Sequence, residues 1–261
     1  MSQGHRPGRW QRGQGMRSHA RQVVQIDALA GGVARHVDQA IICIDVLLST
    51  TTLATAAAQG RRTLVTTTAA EARVCARGLT HSILAAEPGL PGAEGFDPET
   101  GPASLEARRD VARPLVLATP AGHLLFNARR ASAVYVSCLR NMSATADLLS
   151  GLHERVVCVG AGHGSDVRCE DQIAAAWLGR LLLERGFEPA DHQTAREIDR
   201  WSNAPLSLVT LGRGAAHLRQ TGRERDLEFT LSHVDDLKMA CRFQAGEIHV
   251  AWPSPLREAV G

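Results

Sequence analysis

The sequence predicts an α/β fold: a mostly parallel sheet with flanking helices and a helical C-terminal portion. Three observations carry this reading. From residue 40 onward, short β-rich runs alternate with longer Ala- and Leu-rich runs, the pattern that βαβ crossovers leave in a chain. A length of 261 residues at 44% hydrophobic content is enough to bury a full core. Finally, the strand-like run Arg155-Val156-Val157-Cys158-Val159 passes through a Gly-rich turn into an apolar helical stretch, with two adjacent carboxylates, Glu170 and Asp171, at the junction. That is where α/β proteins bind ligands.

In chain order, strands are expected at 40–45, 62–66, 82–86, 114–118, 133–137 and 155–159, each a short β-branched or apolar run. Helices are expected at 50–59, 69–77, 123–130 and 142–150. Thr68 and Asn141 stand as N-caps, because their side-chain oxygens can accept from the free amides of a first turn. In 172–186, Ile173, Trp177, Leu181 and Leu182 recur at helical spacing and should face the core. Stretches 191–201 and 206–219 read as helical, and 247–252 as a closing strand before Pro253. The segment 87–109 holds Pro88, Gly89, Pro91, Gly92, Gly95, Pro98, Gly101 and Pro102 and reads as a long irregular loop, of the kind that often carries function. Residues 1–21 are rich in Gly, Gln and Arg with almost no apolar residue besides Trp10, and read as a disordered basic tail. Residues 22–261 then form one domain.

Composition excludes several classes. Net charge is formally +2, and Lys238 is the one lysine among 29 basic residues, which are spread among 27 acids. Without clustering on a face, no nucleic-acid partner is expected, and lysine-based catalysis is excluded in practice. Six cysteines without CxxC spacing read as reduced core residues. No signal-peptide core and no apolar run of about 18 residues occurs, so a cytoplasmic protein without a membrane partner is expected. Homo-oligomerisation is left open.

Several segments can carry chemistry. Asp45 ends the run Ile41-Ile42-Cys43-Ile44 and is followed by Ser49, Thr50, Thr51 and Thr52 at a helix start, whose free amides attract anions. Asp45 then either serves a phosphate site as metal ligand, base or nucleophile, or merely ends a strand while Ser49 or Thr50 caps the helix. Gly160-Ala161-Gly162-His163-Gly164 resembles part of a dinucleotide fingerprint, but its third glycine is misplaced and no acid follows at the required distance. His163 and His123 are glycine-adjacent candidates for acid/base work. Paired acids such as Glu170 and Asp171 suit a hard cation such as Mg²⁺, or simply favour a helix dipole.

Taken in order, Asp45-Val46-Leu47 with Thr50-Thr51-Thr52, Gly95-Phe96-Asp97, Asn141 with Ser143-Ala144, and Glu170-Asp171 resemble the 2-phosphosulfolactate phosphatase family of Mg²⁺-dependent phosphatases. The resemblance spans residues 40–253, with a weaker match through Leu218, Gly222, Asp226 and Pro253. It implies a three-layer α/β arrangement and a phosphomonoester hydrolase acting on a small anionic phosphoester. Asp45, Glu170 and Asp171 would be the catalytic and Mg²⁺-binding residues, and Ser49, Thr50, Arg140 and Asn141 would bind substrate. The sequence departs from the family at polar positions. Leu48 stands where the family has an arginine; Pro88 replaces the arginine after the retained acid Glu87; Glu99-Thr100-Gly101-Pro102 replaces Gly-Asn-Ser-Pro; and Ala121-Gly122-His123 replaces Asn-Gly-Thr. Leucine cannot reproduce an arginine fork, so Arg140 or Arg168 is expected to supply the missing charge. The alternative is a family member with decayed catalysis that serves as a binding or scaffold protein. An aspartate-nucleophile phosphatase is disfavoured because Leu47, not a second acid, stands two residues after Asp45.

Overall fold

The computed structural model describes residues 21–28, 30–162 and 166–253. The basic tail through residue 20, His163 and its neighbours Gly164 and Ser165 lie outside the described residues. The chain runs β1 (Val23–Asp27), β2 (Ala40–Ile44), α1 (Ser49–Ala58), β3 (Thr63–Thr66), α2 (Ala69–Arg77), β4 (Ile83–Ala86), α3 (Pro102–Ala107), β5 (Leu115–Ala118), α4 (Ala121–Asn127), β6 (Ala133–Ser137), α5 (Met142–Ser150) and β7 (Arg155–Gly160). It continues through α6 (Cys169–Glu184), β8 (Glu188–Pro189), α7 (His192–Trp201), α8 (Arg213–Gln220), α9 (Glu224–Ser232), β9 (Ala240–Gln244) and β10 (Glu247–Ala251).

The strands form one ten-stranded sheet in the order β4-β5-β3-β10-β9-β6-β2-β7-β1-β8. Two parallel blocks, β4-β5-β3 and β6-β2-β7-β1-β8, are joined by the antiparallel hairpin β9-β10. The hairpin introduces three successive reversals, so the two blocks run in opposite senses. Strand alternation builds the three layers directly. In β2, Ile41 and Cys43 join the core that also holds Leu53 and Ala57 of α1 and Leu124 of α4. Ala40, Ile42 and Ile44 face the other side, among Leu149 of α5, Leu178 of α6 and Ile198 of α7. Every residue of β2 is buried, as a strand covered by helices on both faces requires. No helix of the described residues is long and apolar enough to cross a membrane.

The expected strands all form, and Thr68 caps α2 in a full capping box with Glu71. Four expectations are corrected. Asn141 does not cap α5: its Oδ1 accepts from the Cys138 N–H (3.0 Å) and its amide donates to the Val136 carbonyl (3.3 Å), while Asp235 takes the cap by accepting from the Ser143 N–H at 2.8 Å. The 206–219 stretch is broken into a 3-10 segment (Leu206–Leu211) and α8, because Gly212 is extended between them. The helix expected at 123–130 is displaced to α4, which begins at Ala121 and ends at Asn127. The 87–109 loop contains α3, opened by Pro102 at a position where the missing N–H costs nothing. Strands β1 and β9 and helix α9 add to the expected elements. The β9-β10 turn uses Ala245 and Gly246, both at positive φ, as a two-residue hairpin requires; an alanine there conceals the signal.

Asp226 in α9 ties the helical C-terminal portion back to the 87–109 segment by accepting from the Ala103 N–H at 3.1 Å. A Cβ at Gly101 would overlap that carboxylate. Gly101→Ala should therefore destabilise the fold by about 1–3 kcal/mol, the usual cost of overpacking. It would be read as a lower urea midpoint with unchanged m-value, and a midpoint equal to wild type would show that the contact yields freely.

Candidate active site

The turn after β2 is stapled by its own hydroxyls. Thr50 Oγ1 accepts from the Asp45 N–H (3.1 Å) and donates to the Asp45 carbonyl (2.7 Å), which also accepts the Thr50 amide at 3.0 Å. Thr51 donates to the Val46 carbonyl and Thr52 to the Leu48 carbonyl. The threonine run thus shapes the turn, and Thr50 is fully buried with its polar groups spent on Asp45's backbone. Ser49 behaves differently. Its hydroxyl contacts Thr119 Oγ1 (2.7 Å) and donates to Glu87 Oε1, which also accepts from Thr119 at 2.5 Å. Glu87 follows β4 and Thr119 follows β5, so the site forms where strand ends of both parallel blocks reach the start of α1, not along one edge of a single parallel sheet.

Glu170 and Asp171 occupy the first turn of α6, nearly inaccessible to solvent, and they diverge. Asp171 accepts from the Val46 N–H at 2.9 Å and, at a longer 3.4 Å, from the Gly162 N–H, tying the turns after β2 and β7 together. Glu170 accepts from the Gly214 N–H at 3.0 Å, in the first turn of α8, where the helix dipole favours an anion. Its oxygens lie so close to Gly212 and Gly214 that a Cβ at either would overlap them.

A cavity of about 500 Å³ opens in front of this cluster. Asp45, Glu87, Arg168 and His217 supply its charged or titratable lining; Gly162 and Gly214 supply backbone; Leu47, Pro88, Leu90, Pro91 and Pro120 supply apolar wall. Burial raises the Asp45 carboxyl to about 6; hydrogen bonding from Ser49 and the charge of Arg168 oppose this, and Glu170 adds to it. Glu87 is raised further, to about 8, by burial first and the charge of Asp45 second, against Thr119 and Arg168. Asp171 is pushed well above the carboxylate range by burial, then by Asp45 and Glu170, despite the two amides it accepts from. One guanidinium, that of Arg168 at the N-cap of α6, acts on both cavity acids.

The structure therefore lines the cavity with Asp45 and Arg168 and buries the other expected residues next to it: Ser49 bonds to Glu87, Asp171 and Glu170 accept from the lining residues Gly162 and Gly214, and Thr50 is spent on the turn. Arg140 is elsewhere, buried and committed to Asp236 (2.6 Å), Thr55 (2.8 Å) and Glu106 (3.2 Å). Asn141 is fully buried and satisfied internally, and His123 lies exposed on α4, away from the cavity lining. Glu87 was visible in the sequence only as a retained acid at a strand end. What marks it out is contact with two hydroxyls from segments 38 and 32 residues away.

The donors are hard oxygens, which suit Mg²⁺, but the three expected ligands do not converge. Among the described residues no group of three or more His, Cys, Asp or Glu side chains is placed to hold a metal ion, because Glu170 and Asp171 turn their oxygens to separate backbone amides. Mg²⁺ commonly takes only one or two carboxylates and keeps several waters. Asp45, which is open to the cavity, fits that lesser requirement.

Comparison with known proteins identifies the family. The family model described as 2-phosphosulpholactate phosphatase matches residues 31–244. A probable 2-phosphosulfolactate phosphatase of Carboxydothermus hydrogenoformans is 30% identical over 196 residues, covering 74% of this chain and 81% of that protein. Proteins of the same name from Caldicellulosiruptor saccharolyticus (25% over 221 residues, 79% and 90% covered) and Synechococcus sp. RCC307 (29% over 196 residues, 70% and 80% covered) are also similar. The matched span runs from the turn after β1 to the end of β9 and takes in every residue that lines the cavity, and on that extent the chain belongs to the 2-phosphosulpholactate phosphatase family.

Proposed function

We propose that this chain is a phosphomonoester hydrolase that uses Mg²⁺. The observation that carries the reading is the pair Asp45 and Glu87: two carboxyl groups on one cavity whose surroundings push their proton affinities apart, to about 6 and about 8. Such separation assigns a base and an acid. Asp45 is largely ionised at pH 7 and accepts the proton of the attacking water. Glu87 is largely protonated at pH 7 and donates to the departing alkoxide. Its Oε1 is occupied by the hydroxyls of Ser49 and Thr119, which leaves Oε2 to carry the proton.

Arg168 is the donor for the phosphate oxygens; a guanidinium can hold two of them at once. The family membership and the comparison proteins' names support the phosphate chemistry. Mg²⁺ would be held by Asp45 and waters, and when bound it would neutralise phosphate charge. Asp45 has two oxygens, so holding the cation leaves one for the proton. Asp171 acts through the backbone, fixing Val46 and Gly162 on either side of the cavity floor.

The value of kcat/KM against an alkyl phosphate should trace a bell, rising as Asp45 ionises and falling as Glu87 loses its proton, with both limbs below the metal-free values of about 6 and about 8 because a cation on Asp45 favours the ionised forms. Glu87→Gln should lower kcat by roughly 10²–10⁴-fold and remove the falling limb, while p-nitrophenyl phosphate, whose leaving group needs no proton, loses far less. Equal losses on both substrates would remove Glu87 from the acid role. For the cation, the melting temperature of EDTA-treated protein should rise with added Mg²⁺, and Asp45→Asn should abolish that rise. A rise that persists in the variant would place the cation elsewhere.

A further inference from the structure

The cavity lining is of two unlike kinds. Asp45, Glu87 and Arg168 carry charge, and Leu47, Pro88, Leu90, Pro91 and Pro120 are apolar. Among the described lining residues Arg168 is the one fixed cation, and it already faces two acids. Two arginines outside the lining have other partners: Arg213 forms an exposed pair with Asp166 at 3.0 Å, and Arg223 pairs with Asp226 at 3.3 Å and donates to the Pro98 carbonyl at 2.7 Å. His217 is exposed at the rim of α8.

Among the described lining residues a phosphate therefore has one fixed cation to bind, and the alcohol it esterifies meets proline and leucine. A further acid on that alcohol has no fixed cation of its own there: it is either desolvated against the apolar residues, which is unfavourable, or competes with the phosphate for Arg168 and for the cation on Asp45. Three prolines also leave the wall little backbone freedom with which to bring a donor inward.

We infer that the preferred substrate carries no acid beyond its phosphate: the site is built for phosphomonoesters of small neutral or apolar alcohols. This rests on the phosphatase reading above and adds the substrate class to it. It sets this chain apart from relatives whose names specify 2-phosphosulfolactate, a phosphoester bearing a carboxylate and a sulfonate as well.

The test is a matched series of secondary phosphoesters: propan-2-yl phosphate, 2-phospholactate and 2-phosphosulfolactate, which add no acid, one acid and two. Phosphate release by the full chain with Mg²⁺ should fall at least tenfold in kcat/KM with each added acid. Pro88→Arg should shift the preference back toward 2-phosphosulfolactate. A wild-type preference for 2-phosphosulfolactate overturns the inference while leaving the phosphatase reading intact. If neither the series nor p-nitrophenyl phosphate is turned over, the phosphatase reading falls. Calorimetric binding of the same three compounds then decides the selectivity: tightest binding of propan-2-yl phosphate upholds it, and tightest binding of 2-phosphosulfolactate overturns it.

Discussion

One carboxylate holds the cavity floor together. Asp171 receives the amides of Val46 and Gly162, which belong to the turns leaving two neighbouring strands, β2 and β7. Because Val46 follows Asp45 directly, the same bond that joins the turns also fixes where Asp45 emerges. Asp171 sits in the first turn of α6, so the helix, both strand ends and the cavity acid are positioned together. A carboxylate buried this deeply is costly unless hydrogen bonded, and here it accepts from two amides while still carrying a raised proton affinity. The restraint comes at a cost in electrostatic energy that a surface cap would not incur.

That cost is shared among four acids. Asp45 and Glu87 line the cavity, Glu170 and Asp171 are buried near them, and repulsion among the group adds to burial in raising Asp45, Glu87 and Asp171. A fold selected for stability alone would replace such a group with apolar side chains of similar volume. Its retention beside a 500 Å³ cavity is the pattern expected of a functional site, where surroundings set proton affinities for chemistry. Glu170 shows how the packing is arranged around this. Glycines 212 and 214 let the start of α8 close onto its oxygens, so the helix amide offsets the charge and the loop preceding α8 has no room for a side chain.

Much of the layering was legible in the sequence, because strands such as Ala40–Ile44 are apolar at every position and that pattern specifies a sheet covered on both faces. The hairpin β9-β10 was less so: Ala245 takes a conformation for which glycine or asparagine is the usual sign, and only the closing strand was visible. At the site, Asp45, Glu170 and Asp171 could be located because acids at strand-to-helix junctions are distinctive. Arg140 and Arg168 could not be told apart. Both precede helices by one or two residues, and what separates them is three-dimensional: Asp236 and Glu106 capture one, and the cavity receives the other. Asn141 likewise has the spacing of a cap, but a side chain that closes a turn onto Cys138 is lost to the helix.

The departures from the family pattern fall into this same scheme. Leu48, where the family has an arginine, is buried against Ala215, Leu218 and Leu227, so it joins α8 and α9 to the turn after β2. An arginine at that position would carry its charge into an apolar cluster unless α8 and α9 stood further away. The leucine and the close approach of α8 are therefore one structural choice, and the Gly212 and Gly214 contacts with Glu170 belong to it as well. Here the position is packed, and α8 is seated so that His217 and Gly214 form part of the cavity wall. The side chain at position 48 and the wall of the cavity are thus coupled through a single helix, α8, so a change at one is felt at the other.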